Sequence, residues 1–74
     1  MKYLTASSDI LDGTLCIAGT RIPIDEVLYL LQEGNSLAEI SALYPWVPEH
    51  ILRAAVAEAF SEVMTLLSAK HHAS

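Results

Sequence analysis

Apolar residues recur at helical spacing over the last third of the chain. From Pro48 to about Leu67 they form one broad stripe, which predicts a helix about 30 Å long at 1.5 Å per residue. Pro48 suits the start of a helix, and Glu49 is favourable to the helix dipole there. The stripe contains Ile51, Leu52, Ala55, Val56, Ala59, Phe60, Val63, Met64 and Leu67. It is longer than two short helices can cover, so its second half is expected to pack on another subunit.

Two shorter helices are predicted before this one. The first runs from about Asp25, placed to cap its free amides, to Glu33, and Gly34 ends it. The second opens with Ser36 and Glu39 at the spacing of a capping box. Its inward residues are predicted to be Leu37, Ile40 and Leu43. The connector that follows, residues 44–48, contains two prolines and cannot continue the helix.

Strand and turn signals occupy residues 1–24. Two short strands, Leu15–Ile17 and Arg21–Ile24, are predicted to form a hairpin that reverses at Gly19, where positive φ is permitted. Pro23 ends the second strand because its ring fixes φ and restricts the preceding residue.

Further upstream, Tyr3 and Leu4 are expected to add a short edge strand. The Asp12-Gly13 pair indicates a turn.

Length and composition bound the assembly. The 74 residues make one domain, and a chain of this size buries only roughly 60% of its unfolded surface on folding. An apolar fraction of 53% is more than such a body can hide. We therefore expect at least a homodimer. Its predicted interface residues are Val56, Phe60, Val63 and Leu67.

Charge and cysteine content narrow the partners. The formal net charge of −5 disfavours general affinity for nucleic acid and favours a basic protein partner. The single cysteine, Cys16, excludes an internal disulfide. The apolar runs are too short to span a membrane, and residues 1–15 lack a signal-peptide pattern, so a cytoplasmic location is expected.

The second and third helices are joined by a short connector, which is typical of a helix-turn-helix. In that geometry the start of the third helix enters the major groove of DNA. The residues placed to face bases or phosphates are His50, Arg53, Ala54 and Ala57. A plain three-helix bundle that touches no DNA is the alternative. Periodicity alone favours it, because Glu49 lies at the tip and the face has one arginine.

Few residues offer other chemistry. Arg21, with Gly19 and Thr20, marks either a partner-binding turn or a structural one, in which Arg21 would pair with Asp25, Glu26 or a carbonyl; surface pairing is the more common case. No metal-ligand cluster, phosphate loop or nucleophile–base pair is evident in the sequence, so neither an enzyme nor a cofactor is expected.

The histidines His71 and His72 are interpreted as tail residues or residues left by cloning. Cys16 is interpreted as a buried strand residue. A small hydrolase would need a polar pocket that this composition makes difficult to build.

A family resemblance rests on several short motifs. They are Gly13, Ile17-x-Gly-Thr-Arg-Ile-Pro-Ile24, Leu30-Leu31-x-x-Gly34-x-Ser36 and Tyr44-Pro45. In this order, over roughly residues 8 to 60, they resemble the family called domain of unknown function 433. The resemblance implies a small helix-turn-helix protein similar to the antitoxins that are paired with PIN-like nucleases.

The expected fold is mainly α: a homeodomain-like or winged-helix-like three-helix bundle with a short N-terminal β-hairpin. Strands occupy residues 1–24 and the helices residues 25–67, and residues 68–74 are expected to fray. The expected function is that of an antitoxin that neutralises a PIN-like nuclease and binds operator DNA, weakly when alone. A structural or protein-interaction module without DNA binding is the alternative.

Overall fold

Three helices and one antiparallel pair of strands make up the parts of the chain that the computed structural model describes, residues 2–6 and 14–73. The elements in chain order are β1 (Leu4–Ala6), β2 (Leu15–Ile17), α1 (Ile24–Gln32), α2 (Leu37–Leu43) and α3 (Glu49–Ala73). The mainly helical architecture with N-terminal strands is therefore confirmed.

The strand pairing differs from the predicted hairpin. β1 lies antiparallel to β2, with Leu4 opposite Ile17, so the expected edge strand is present. The prediction of a second strand over Arg21–Ile24 is wrong. That segment makes one isolated bridge, between Cys16 and Pro23, because Pro23 has no N–H to donate and α1 has already begun at Ile24. The predicted Asp12-Gly13 turn lies outside the described residues.

The chain reverses after β2 through a tight turn. The Thr20 amide donates to the carbonyl of Ile17 at 2.9 Å, and the Ile17 amide donates to the carbonyl of Ile22 at 3.0 Å. Gly19 has φ of 79°, the positive value that the third residue of a type II turn requires. The predicted conformation of Gly19 is confirmed.

The start of α1 corrects one prediction. Its N-cap is Pro23, with no side-chain capping hydrogen bond, and the helix starts at Ile24. Asp25 therefore lies inside the first turn and does not cap it. With Glu26 it still places negative charge at the positive end of the helix dipole.

The end of α1 follows the sequence prediction. Gly34 has φ of 100°, its amide donates to Leu31 at 3.0 Å, and the Asn35 amide donates to Leu30 at 3.1 Å. This pair of bonds is the Schellman arrangement, which satisfies carbonyls that the helix end leaves free.

The predicted capping box of α2 is present. The Glu39 amide donates to Ser36 Oγ at 3.1 Å, and the Ser36 amide donates to Glu39 Oε1 at 2.8 Å. The bond from the Ser36 backbone lowers the pKa of Glu39. Since a lowered carboxyl pKa favours the ionised form, this capping contributes stability above the ordinary carboxyl pKa and loses it as pH falls through the lowered value. Leu43, predicted to face inwards, is 58% exposed, because the side of α2 that meets the core is the one with Leu37, Ile40 and Tyr44.

The core lies where α1, α2 and the first half of α3 meet beneath the strands. Its most buried side chains are Cys16, Ile17, Val27, Ile40 and Leu52, and an aliphatic side chain buried to this extent contributes roughly 1.5–3 kcal/mol. The contribution of α3 to the core ends at Ala59. The helix itself continues to Ala73, past the predicted end at Leu67.

Glu58 on α3 attaches the N-terminal segment to the helices. Its two carboxylate oxygens accept hydrogen bonds from the backbone amides of Lys2 at 2.5 Å and Tyr3 at 2.6 Å. Hydrogen bonds to an ionised acceptor are roughly twice as strong as neutral ones. These two bonds fix the chain immediately before β1, so Glu58 helps to position the strand pair on α3.

We predict that Glu58→Gln destabilises the fold by about 1–3 kcal/mol, because one acceptor oxygen becomes an N–H₂ donor that faces a backbone amide. Urea unfolding would measure the loss, and amide exchange at Tyr3 should accelerate. The control is Glu62→Gln, which makes the same change at an exposed position one turn further along α3 and should have an effect within about 0.5 kcal/mol. Equal stability of the two variants would contradict the assignment.

Candidate functional site

The hydroxyl of Thr20 holds the turn between β2 and α1. It donates to the carbonyl of Ile17 at 2.7 Å and accepts from the amide of Ile22 at 3.1 Å. One side chain thus bridges the two sides of the turn at the point where its backbone would otherwise leave Ile22 without an acceptor. Thr20 therefore has a structural role in this turn.

Arg21 is displayed on the outside of this turn. It is exposed, and within residues 2–6 and 14–73 it forms neither a salt bridge nor a hydrogen bond. The predicted pairing with Asp25, Glu26 or a carbonyl is therefore not found there. An ion pair in water contributes little, since it orders two long side chains.

The connector between α2 and α3 is anchored by one residue and exposes another. Val47 is 3% exposed, and its amide donates to the Tyr44 carbonyl at 2.8 Å. Trp46 is 67% exposed, with its ring edge-on to Tyr44 at a centroid distance of 5.8 Å. Burial, and then the nearby carboxylate of Glu26, raise the pKa of Tyr44. The connector thus contacts α1 through Tyr44 and leaves the tryptophan accessible to a partner.

The start of α3 presents the residues predicted to face DNA. His50, Arg53 and Ala57 are exposed, and Ala54 is half-buried. Arg53 Nη2 lies 2.9 Å from Glu49 Oε2, one turn earlier on the same helix. Arg53 is the only lysine or arginine on α2 or on α3 as far as residue 68, so the Glu49 carboxylate offsets the one positive charge of this surface.

The second half of α3 exposes a set of large apolar side chains, which we call the α3 stripe. It consists of Phe60 (54% exposed), Val63 (46%), Met64 (64%), Leu66 (69%) and Leu67 (56%). Three of the four predicted interface residues belong to it. The fourth, Val56, is 5% exposed and packs in the core of its own chain. Phe60, Val63 and Leu67 therefore remain accessible to another molecule, and Val56 does not.

Among the described residues, no cavity and no group of three or more potential metal ligands is found. No helix of that part is long and apolar enough to cross a membrane. Cys16 is fully buried, with Sγ 3.7 Å from the Thr14 carbonyl, a position typical of a core residue.

These features define a small, mainly helical domain whose candidate functional groups lie on its surface. The chain belongs to the family described as Protein of unknown function (DUF433), whose model matches residues 4–59. The resemblance noted in the sequence is thus confirmed. The match extends from β1 to the last core residue of α3, and the α3 stripe lies beyond it. No curated protein and no solved structure matches the chain.

We predict that Thr20→Val destabilises the fold by about 1–3 kcal/mol, because the variant keeps the shape but removes both hydrogen bonds and leaves the Ile22 amide unpaired. Thr20→Ser retains the hydroxyl and should stay much closer to the wild type. Thr5→Val makes the same change on exposed β1 and should be nearly neutral. The check is urea unfolding together with amide exchange at Ile22. A Thr20→Val variant as stable as Thr5→Val would show that the hydroxyl is dispensable.

Proposed function

We propose that this chain is the antitoxin of a toxin–antitoxin pair, which binds and neutralises a PIN-like nuclease and binds operator DNA through α2 and α3 as a helix-turn-helix. Membership of the family and the resemblance of its motifs to antitoxins support the proposal. The observation that carries it is the exposed start of α3, held beside α2 by the buried Val47, with His50 and Arg53 presented outwards.

Charge supports the toxin-binding half. The net charge is −5, and α1 exposes Asp25 and Glu26, with Glu33 at its end, on either side of Tyr29, which is 57% exposed. Residues 22–52 contain no lysine or arginine. A basic protein surface would be complementary to this one, and an exposed tyrosine is a frequent anchor in such interfaces. The nearby Arg21 is free to meet a carboxylate of the same partner.

The DNA-binding half depends on Arg53. Its pair with Glu49 is exposed, so a phosphate can replace the carboxylate at little cost. One arginine per chain makes few phosphate contacts, and the acidic surface opposes them. A basic nuclease would offset the acidic charge and could join several α3 ends, which adds avidity without new base contacts. Operator binding is accordingly weak for the chain alone and tighter for the complex.

A protein-interaction module without DNA binding is the second candidate. The Glu49–Arg53 pair favours it, because Glu49 lies at the tip that would have to approach the phosphates. An acidic side chain at that position repels the backbone of DNA. The two candidates share the partner-binding surface and differ in whether α3 contacts DNA.

We expect a PIN-like nuclease to be encoded beside this gene, and that nuclease is used to test the toxin-binding half of the proposal. Tyr29→Ala should weaken its binding at least about tenfold in calorimetric titration, since truncating an interface anchor typically costs 2 kcal/mol or more. Trp46→Ala removes another exposed aromatic ring and should bind nearly as tightly as the wild type. A reversed order of the two effects would place the partner on the α2–α3 connector, and no binding by the wild type would reject the antitoxin function.

The DNA-binding half is tested by fluorescence anisotropy with the DNA upstream of the operon, at one fixed salt concentration, with and without the nuclease. Arg53→Ala should weaken binding in both states, by about 1–3 kcal/mol if the guanidinium reads a base. In the titration without nuclease, Arg21→Ala makes the same change of charge away from α3, so it controls there for the general electrostatic effect.

Two results would count against the DNA-binding half. Tight binding by the isolated chain that survives Arg53→Ala would show that α3 is not the recognition surface. Absence of DNA binding in both states would favour the interaction module.

A further inference from the structure

The α3 stripe has the periodicity of a helix–helix seam. A line of apolar residues begins at the buried Val56 and continues into the stripe through Phe60, Val63 and Leu67. The intervals are four, three and four residues, which keeps these residues on one side of the helix at the 3.5-residue period. Apolar residues also fill the positions on both flanks of this line. They are Ala57, Ala59, Met64 and Leu66. A face of this width is typical of a helix packed on other helices, and not of one in water.

The seam is continuous with the core. Val56 and Ala59 are buried by the chain's own elements, and one turn later Phe60 and Val63 are exposed on the same side of α3. The family match also stops at Ala59. The part of α3 after Ala59 is thus an arm that projects from the packed body of the chain. The apolar face of this arm continues the face that α3 buries in the body, and on the arm it is exposed.

The distribution of charge along the chain indicates which kind of molecule covers the α3 stripe. Residues 1–59 contain eight of the nine carboxylates and three of the four Lys and Arg residues, so they carry the whole net charge of −5. Residues 60–74 contain Glu62 and Lys70 and are neutral. A basic partner would be drawn to the acidic body and not to this arm. An uncharged apolar face matches a second face of the same kind.

The size of the stripe also suits a second copy. Five side chains, each at least 46% exposed, present apolar surface on the order of 500 Å², at the upper end of what a monomer exposes. A standard interface takes about 800 Å² from each partner. The stripe, together with the neighbouring exposed Ala57 and the side chains around it, approaches that area.

The relative direction of the two α3 helices follows from the same charges. Parallel arms would bring two acidic bodies together at one end, within the roughly 10 Å over which charges interact in physiological salt. Antiparallel arms place the bodies at opposite ends and lay the two arms side by side. We propose that the α3 stripe is the homodimer interface of this chain, with the two α3 helices antiparallel and crossing near Val63.

The antiparallel dimer sets the distance between the two α3 starts. His50 precedes Val63 by 13 residues, so the two copies of His50 lie roughly 40 Å apart at 1.5 Å per residue. Parallel helices would hold them roughly 10 Å apart. By the same count the two Arg53 residues are separated by roughly 30 Å, near the 34–36 Å between successive major grooves on one side of DNA. This last consequence rests on the proposed function, whereas the dimer does not.

The assembly is tested by sedimentation equilibrium of the full chain without nuclease or DNA, at about 50 µM, where an interface of micromolar affinity is largely formed. We expect twice the monomer mass. Phe60→Glu and Leu67→Glu should each weaken the dimer roughly a hundredfold or more, since each buries two unpaired charges. Both positions are exposed in the single chain, so circular dichroism should show retained helix. Thr65→Glu adds the same charge at an exposed position on the opposite side of α3 and should leave the dimer intact.

The direction is tested by spin labels on His50→Cys, because the buried Cys16 does not react in the folded protein. A distance near 40 Å by double electron–electron resonance supports the antiparallel dimer, and strong short-range broadening overturns it. A wild-type monomer, or a dimer that Phe60→Glu and Leu67→Glu leave unchanged, rejects the interface and leaves a partner of another sequence as its cover. A normal dimer that fails to bind operator would count against the proposed function alone.

Discussion

The amount of apolar surface on α3 exceeds what the other described residues of this chain cover. The strands, α1 and α2 bury α3 as far as Ala59, and the five large side chains of the α3 stripe beyond it stay exposed. Burial of apolar area is the main favourable contribution to folding. This excess therefore determines how the molecule is divided. It separates the chain into an acidic body with a complete core and a neutral helical arm whose apolar side chains are exposed.

Within the body, a few polar contacts determine how the elements meet. Thr20 closes the turn between β2 and α1, and Glu58 attaches the segment before β1 to α3. Thr20 supplies the acceptor for the Ile22 amide, and Glu58 supplies the acceptors for the two amides before β1. A two-stranded pair is marginal without such support. Since no described polar side chain is buried, these contacts lie at the edges of the core and set its borders. The turn that Thr20 holds also places Arg21 outside, next to the acidic face of α1.

The surface divides into regions with different chemistry. The α1 face is acidic around Tyr29, the start of α3 carries one arginine paired with Glu49, and the α3 stripe has no charge. Complementary charge favours a basic partner on α1, and matching apolar faces favour a second copy on α3. The two proposed contacts use different surfaces, so the proposed dimer would carry two partner proteins. An antitoxin that holds several nucleases and several DNA-contacting ends together would use this arrangement.

Local signals in the sequence were sufficient to locate the three helices, although Asp25 does not cap α1 and α3 runs past Leu67. The capping box at Ser36, the helix end at Gly34 and the positive φ of Gly19 all follow from residues within one turn of each other, and all are present. The residues of the candidate sites could also be named, since Arg53, Phe60 and Arg21 stand out by type and position. The sequence could not predict which of these side chains have partners within the chain and which are accessible. Arg53 pairs with Glu49, Arg21 has no partner among the described residues, and Val56 lies in the core.

The sequence by itself determined the helical elements, the end of α1 and the excess of apolar residues, because helix periodicity and caps depend on neighbours along the chain. Only the tertiary structure decided that β2 pairs with Leu4–Ala6 in place of Arg21–Ile24, and that Glu58 binds the amides before β1. It also decided that the core stops at Ala59. These outcomes depend on contacts between residues far apart in sequence. The free energies of such contacts depend on which surfaces meet, and a local sequence pattern does not contain that information.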